Sequence, residues 1–194
     1  MVNFNQILFD FIFSLHGRHF LIDDLAIFFA KYLPYLLVLG FFILIFRQAG
    51  WRRLFLFIEG AITTILSRGI LTEIIRFFYH HPRPFEVLNF MPLITQTEIG
   101  NSFPSGHATF YFALATVVLL WNRRWGMWYF ILTIVIGFAR IFVGAHWPLD
   151  ILGGAAIGIL SGLMVHLILL PQFKSLPKGL TEKKGLMRGS KGKR

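Results

Sequence analysis

The sequence predicts an all-α fold: a polytopic transmembrane helical bundle of about five spans, preceded by an N-terminal interfacial helix. Of the 194 residues, 56% are hydrophobic and 14% are charged, which leaves too little polar surface for a water-soluble domain of this length. The apolar residues form long runs between short clusters of Arg and Lys, as in multi-span membrane proteins. Both observations argue against a soluble helical protein.

The first apolar segment, roughly residues 4–15, is too short to span. As a helix it would be about 18 Å long, against a hydrocarbon core of about 30 Å. The first 13 residues contain no basic residue and include Asp10, so they do not resemble a cleavable signal peptide. We therefore expect residues 1–24 to form an amphipathic helix in the membrane interface.

Five later segments are long enough, or nearly long enough, to cross the membrane, and they form one domain over residues 25–170. The third is at the short limit, so we expect its outer end to lie below the membrane surface. We expect Pro171 and the polar tail to end the fifth. The predicted spans are residues 25–46, 54–78, 107–121, 125–142 and 149–170.

The basic clusters predict the orientation of the spans. Arginines occur within residues 47–53 and 123–124, and a basic tail follows the last span. If every span crosses, these clusters share one side, which the positive-inside rule makes cytoplasmic. The non-cytoplasmic face of the cell membrane then holds the loops of residues 79–105 and 143–148 and the N-terminal helix. The C-terminus is predicted to be cytoplasmic.

The net charge of +10 does not indicate a nucleic-acid partner. Residues 171–194 supply +7 of it, and a basic tail after a span is typical of a topology determinant that contacts anionic lipids. The Gly, Ser and Lys content of this tail predicts disorder. The sequence has no Cys, which excludes a disulfide framework and a thiolate site.

Three clusters of cationic residues fall on the predicted non-cytoplasmic side, each at the end of a span. At one depth their charges would repel each other unless an anion lay between them. Guanidinium groups bind phosphate oxygens in a bidentate way, so a tetrahedral oxyanion fits. The clusters are Arg76-FFYHHP-Arg83-Pro84, Pro104-Ser105-Gly106-His107 and Arg140-IFVGA-His146-WPL-Asp150.

The second cluster predicts the start of a helix that faces this anion. Pro104 interrupts regular structure, and Ser105 is a favourable N-cap for a helix beginning near Gly106. Free backbone N–H groups and the positive end of the helix dipole would then point at the anion. Gly106 lets the backbone approach closely.

The third cluster supplies a nucleophile. His146 precedes Pro148, which suits a first helical turn, and Asp150 in that turn can accept a hydrogen bond from one imidazole nitrogen. The other nitrogen is then free to attack phosphorus, while His107 protonates the leaving oxygen. The product is a phosphohistidine that water hydrolyses. Neither a metal nor a cofactor is required.

Together the three motifs resemble the signature of the type 2 phosphatidic acid phosphatase superfamily: Lys-x6-Arg-Pro, Pro-Ser-Gly-His and Ser-Arg-x5-His-x3-Asp. The resemblance covers roughly residues 50–170 and implies a lipid phosphate substrate. Arg76 stands where the family has Lys, which keeps the charge but changes its geometry, and Ala139 stands where it has Ser. The implied phosphate ligands are Arg76, Arg83, Ser105, Gly106 and Arg140, with His107 as general acid, His146 as nucleophile and Asp150 as its partner.

Several alternatives stay open at this point. The chain resembles bacterial undecaprenyl-diphosphate phosphatases of that superfamily, but phosphatidylglycerophosphate and phosphatidic acid are alternative substrates. A non-enzymatic lipid or anion transporter could use the same arginines. A vanadate-dependent oxidase is disfavoured because the haloperoxidases of the superfamily are soluble. Among ionisable residues within spans, Glu73 can pair with Arg76 three residues away, whereas Glu59 and Arg68 have no assigned role.

Overall fold

A computed structural model of the chain describes residues 4–95 and 100–174, and over these residues the predicted all-α transmembrane bundle is confirmed, with no strand. Most of the predicted tail, residues 175–194, lies outside the described part. The elements are α1 Phe4–Phe13, α2 Phe20–Lys31, α3 Leu33–Arg47, α4 Gly50–Thr64, a π-helical segment Ile65–Leu71, α5 Thr72–Phe78, α6 Pro84–Leu88, α7 Gly106–Trp121, α8 Arg123–Phe142 and α9 Pro148–Lys174.

Three helices in the described part are long and apolar enough to cross a membrane, and a fourth span exists if α2 and α3 count as one. The three are Gly50–Phe78, Arg123–Phe142 and Pro148–Gln172. Helix α7 has 16 residues and is therefore about 24 Å long, shorter than the hydrocarbon core. This agrees with the expectation that the third span is short.

The first predicted span is not the single helix that hydropathy suggested. It begins at Phe20 and breaks at Tyr32, where α2 and α3 meet with a bend of 44°. Pro34 explains the break, because it has no N–H for the carbonyl of Ala30 and its ring clashes with that carbonyl. The break borders the cavity described below.

The prediction that Pro171 ends the last span is also wrong. Helix α9 continues through Pro171 to Lys174. A proline removes one backbone donor, and the remaining hydrogen bonds carry the helix for another turn.

Helix α7 lies at the centre and packs mainly against α8 and α9. Two glycines of α9 at four-residue spacing, Gly154 and Gly158, allow this close approach. A Cβ on Gly158 would lie 2.5 Å from the carbonyl oxygen of Thr109, and one on Gly154 would lie 2.8 Å from that of Ser105. This packing places the start of α7 beside the start of α9.

A second group of polar residues lies at the end of the bundle opposite to the predicted site. A cavity of about 430 Å³ lies where α3, α7 and α9 end and α4 and α8 begin, and Arg47 and Arg52 line it. Near this end the buried Glu59 accepts hydrogen bonds from Trp121 Nε1 and pairs with His166 Nδ1 at 2.7 Å. This pairing gives Glu59 a structural role.

Helix α1 packs against the other end of the bundle. Asn5 Oδ1 accepts a hydrogen bond from the backbone N–H of Leu149 at 3.0 Å, and the buried Phe9 ring lies 5.0 Å from the Trp147 ring. With ten residues, α1 is about 15 Å long and cannot span. Its position in the membrane interface stays a prediction.

Candidate active site

Six of the eight residues predicted for the site line a single cavity of about 910 Å³. Residues 64 positions apart in sequence meet there because α5, α7 and α8 all direct their site-bearing ends to the same face of the bundle. The two other predicted residues, Ser105 and Asp150, are fully buried. The six that line the cavity are Arg76, Arg83, Gly106, His107, Arg140 and His146.

His146 and Asp150 are held together at the start of α9. Pro148 begins this helix, and Asp150 lies in its first turn, as the spacing predicts. His146 Nδ1 lies 3.4 Å from Asp150 Oδ2, and the backbone N–H of Trp147 donates to the same oxygen at 2.8 Å. The carboxylate therefore fixes both the ring and the turn that carries it.

Ser102 adds a contact that the sequence analysis missed. Its hydroxyl donates to Asp150 Oδ2 and lies 3.2 Å from His146 Nδ1. With the hydroxyl proton directed at the carboxylate, the Ser102 oxygen can accept from the imidazole N–H. Both neighbours of Nδ1 therefore favour a proton on that nitrogen, which leaves Nε2 with its lone pair.

His146 is suited to act as a neutral nucleophile. Burial lowers the pKa of His146 to about 4, the hydrogen bond that Nδ1 donates to Asp150 opposes this, and the positive charge of Arg140 adds to the lowering. The side chain is only 2% exposed, yet it contributes to the cavity wall. Near neutral pH the imidazole is therefore uncharged and can attack an electrophile in the cavity.

Two of the site arginines are held by backbone carbonyls from other segments. Arg83 Nη1 donates to the carbonyl of Ala145 at 3.2 Å, and Arg76 Nη2 donates to that of Pro104 at the same distance. Arg83 is 2% exposed, so its charge lies in a low-dielectric surrounding. A multiply charged anion in the cavity would be the favourable counterion for such buried guanidinium groups.

The start of α7 contributes a helix N-terminus to the same cavity. Ser105 caps it, with Oγ accepting from the N–H of Ala108 at a long 3.5 Å, and the Ser105 N–H donates to the carbonyl of Asp150 at 3.0 Å. Gly106 and His107 follow at the cavity wall. The positive end of the α7 dipole thus lies at the cavity, where it would favour an anion.

Two further side chains extend the predicted set. His81 Nδ1 lies 3.5 Å from Asp150 Oδ1. Arg68, which had no assigned role, lines the cavity and forms an ion pair with Glu73, whose Oε1 also lies 3.5 Å from Arg76 Nη1. The predicted pairing of Glu73 with Arg76 is thus confirmed, and Glu73 in addition joins Arg68 to Arg76.

The rest of the cavity wall is apolar. Ile27, Pro34 and Val38 come from α2 and α3 on either side of their break, and Leu93 and Phe110 come from the loop before α7 and from α7 itself. A polar floor beneath an apolar wall matches a ligand with a charged head and a hydrocarbon chain.

Comparison with known proteins agrees with these motifs. A family model described as the PAP2 superfamily matches residues 57–174. The undecaprenyl-diphosphatase BcrC of Bacillus subtilis (strain 168) is 31% identical over 162 residues, which cover 82% of this chain and 81% of that protein. The bacitracin transport permease protein BcrC of Bacillus licheniformis is 30% identical over 157 residues, which cover 81% of this chain and 76% of that protein.

A solved structure shares the fold. The crystal structure of Aquifex aeolicus LpxE aligns with a TM-score of 0.65 and 31% sequence identity, covering 84% of this chain and 94% of that chain. The resemblance inferred from the three motifs is therefore confirmed, and it favours an enzyme over a non-enzymatic transporter. The chain belongs to the PAP2 superfamily and is a membrane lipid phosphatase.

Proposed function

We propose that this lipid phosphatase removes the terminal phosphate of undecaprenyl diphosphate, giving undecaprenyl phosphate, through a phosphohistidine on His146. The observation that carries the reaction type is the cavity itself, which brings a neutral imidazole, a second histidine and several guanidinium groups together in one wall. The similarity over 82% of the chain to an undecaprenyl-diphosphatase supports this choice of lipid.

The first step is attack by His146 Nε2 on the terminal phosphorus. The bond from phosphorus to the bridging oxygen breaks, and the lipid leaves with that oxygen and its electron pair. Arg76, Arg83 and Arg140, with the backbone N–H of Gly106, stabilise the charge of the transferring phosphoryl group. Asp150 and Ser102 hold the imidazolium-like product at Nδ1.

His107 acts on the leaving oxygen. It is the second residue of α7, lines the cavity and is only half-buried, so it can reach a substrate that enters along the apolar wall. As a general acid it protonates the departing oxygen, and water then hydrolyses the phosphohistidine.

The proposal is tested by phosphate release from purified lipid phosphates in detergent. Undecaprenyl diphosphate, phosphatidylglycerophosphate and phosphatidic acid are compared at equal mole fraction. We expect the highest kcat/KM on undecaprenyl diphosphate. Faster hydrolysis of either glycerolipid would assign the chain to that substrate, and release from none of the three would refute the proposed function.

Chelators should leave the activity intact. Because guanidinium groups and backbone N–H groups carry the charge stabilisation, we expect less than about a twofold change in rate with excess EDTA. Vanadate should inhibit, since it mimics the pentacoordinate transition state. Loss of activity in EDTA that magnesium restores would contradict this mechanism.

We also propose that the site opens on the non-cytoplasmic face and that the C-terminus is cytoplasmic. The cavity of the site and the arginine-lined cavity at 47–52 lie at opposite ends of the bundle, as the positive-inside assignment requires. A topology reporter after Arg194 should therefore be cytoplasmic and one inserted at Thr95 external. Reporters on the same side would contradict this orientation.

A further inference from the structure

We propose that Arg68 binds the lipid-side phosphate of a diphosphate substrate and so makes this phosphatase favour diphosphates over monophosphates. This inference rests on the proposed function, in which the terminal phosphate is transferred to His146. Arg68 lies outside the three motifs, eight residues before Arg76, and no role follows for it from the family signature.

The π-helical segment carries Arg68 to the cavity. The helix from Gly50 to Phe78 is interrupted by π-helical turns at Ile65–Leu71, and Arg68 lies in their middle. π-Helical turns within α-helices occur frequently at functional sites, because they change the direction in which side chains point. Here the Arg68 side chain forms part of the cavity wall.

The Arg68 side chain packs closely against Gly106. A Cβ placed on Gly106 would lie 3.0 Å from both Cδ and Cζ of Arg68, and closer still to Nε. The guanidinium group therefore lies against the first residue of α7, next to His107. This is the side of the cavity on which the proposed general acid meets the leaving oxygen.

Glu73 holds Arg68 beside the proposed phosphate ligands. One carboxylate oxygen forms the ion pair with Arg68 Nη1 and lies 3.5 Å from Arg76 Nη1. The two guanidinium groups are thus joined through one anion, at neighbouring positions. Such a pair can contact two phosphates that share a bridging oxygen.

The exposed fractions of three side chains increase from the floor of the cavity toward its mouth. The side chain of His146 is 2% exposed, that of Arg76 11% and that of Arg68 29%. A diphosphate whose terminal phosphorus reaches His146 has its second phosphate nearer the mouth, where its lipid chain leaves. Arg68 is the guanidinium at that level.

The bonds that break in each substrate explain why Arg68 would favour diphosphates over monophosphates. In a diphosphate, the P–O bond to the terminal phosphorus breaks, and the lipid monophosphate leaves with the bridging oxygen and one more negative charge. Arg68 stabilises that charge as it develops. In a monophosphate, the leaving group is a lipid alkoxide that takes its proton from His107, and there is no second phosphate for Arg68 to bind.

The test compares Arg68→Gln with wild type on a prenyl diphosphate and a prenyl monophosphate of the same chain length, in one detergent. We expect kcat/KM to fall by about 10- to 100-fold on the diphosphate, the usual effect of losing a hydrogen bond between charged groups, and by less than about threefold on the monophosphate. Arg68→Lys, which keeps the charge but loses the bidentate geometry, should give an intermediate loss.

A matched variant separates substrate binding from support of Arg76. Glu73→Gln removes the carboxylate shared by both arginines, so it should lower both activities. If Arg68→Gln also lowers the diphosphate and monophosphate activities equally, or abolishes both activities, Arg68 acts through Arg76 and the inference is overturned. Because each ratio comes from one preparation, it does not depend on the folded fraction. Wild type that hydrolyses the monophosphate but not the diphosphate overturns the inference, and hydrolysis of neither refutes the proposed function itself.

Discussion

His146→Ala should lower phosphate release by at least about 10⁴-fold on every lipid phosphate, the order of loss seen when a catalytic nucleophile is removed. The reason is the covalent step. Arg76, Arg83 and Arg140 can still bind the substrate phosphate, but the other imidazole beside Asp150, that of His81, does not line the cavity. Substrate should therefore bind without turnover.

The phosphoenzyme provides the direct measurement. Wild type is mixed with a lipid diphosphate carrying a labelled terminal phosphate, quenched in alkali to preserve the P–N bond, and analysed for label on the protein. We expect label on wild type and none on His146→Ala. His19→Ala is the matched control, because His19 is exposed and makes no side-chain cap bond at the start of α2. Appreciable turnover by His146→Ala would rule out the covalent intermediate.

Much of the candidate site could be predicted because its residues are tied to helix ends. Pro148 begins α9 and Asp150 lies in its first turn, and Ser105 caps α7. These are local rules of helix initiation, which act over three or four residues and leave a visible pattern in the sequence. Convergence of the clusters then follows from the alternation of spans.

The contacts that sequence analysis missed depend on distant segments. Ser102 lies 44 residues before His146 in a loop, and a single serine there carries no spacing signal. Its role follows only from the backbone hydrogen bonds that place the loop, such as the Ser102 N–H donating to the carbonyl of His81 at 2.7 Å. No periodicity encodes such a contact.

Arg68 was missed for a different reason. A regular helix from Gly50 to Phe78 would assign each side chain to a face by its 3.6-residue period. The π-helical segment at Ile65–Leu71 changes that assignment from its start onward. The break at Tyr32 was hidden in a similar way, because hydropathy over residues 25–46 outweighed the one proline that bends the span.

His107→Ala should lose activity in a way that depends on the leaving group. A lipid alkoxide leaving from a monophosphate is strongly basic and needs a proton, so we expect a loss of about 10²- to 10⁴-fold on phosphatidic acid. A lipid phosphate leaving from a prenyl diphosphate is already a good leaving group, so the loss there should be below about tenfold. His146→Ala should be inactive on both.

The measurement is the initial rate of phosphate release from each lipid by wild type, His107→Ala and His19→Ala in matched detergent. Equal losses of His107→Ala on both lipids would remove the case for its acid role. The substrate on which His107→Ala loses more activity should also be the one on which Arg68→Gln loses less. The reason is that His107 protonates an alkoxide, whereas Arg68, beside the same Gly106, binds a departing phosphate. A general disturbance of the cavity would lower the activity of both variants on both substrates. Opposite substrate preferences of the two variants would therefore show that each side chain acts on its own part of the leaving group.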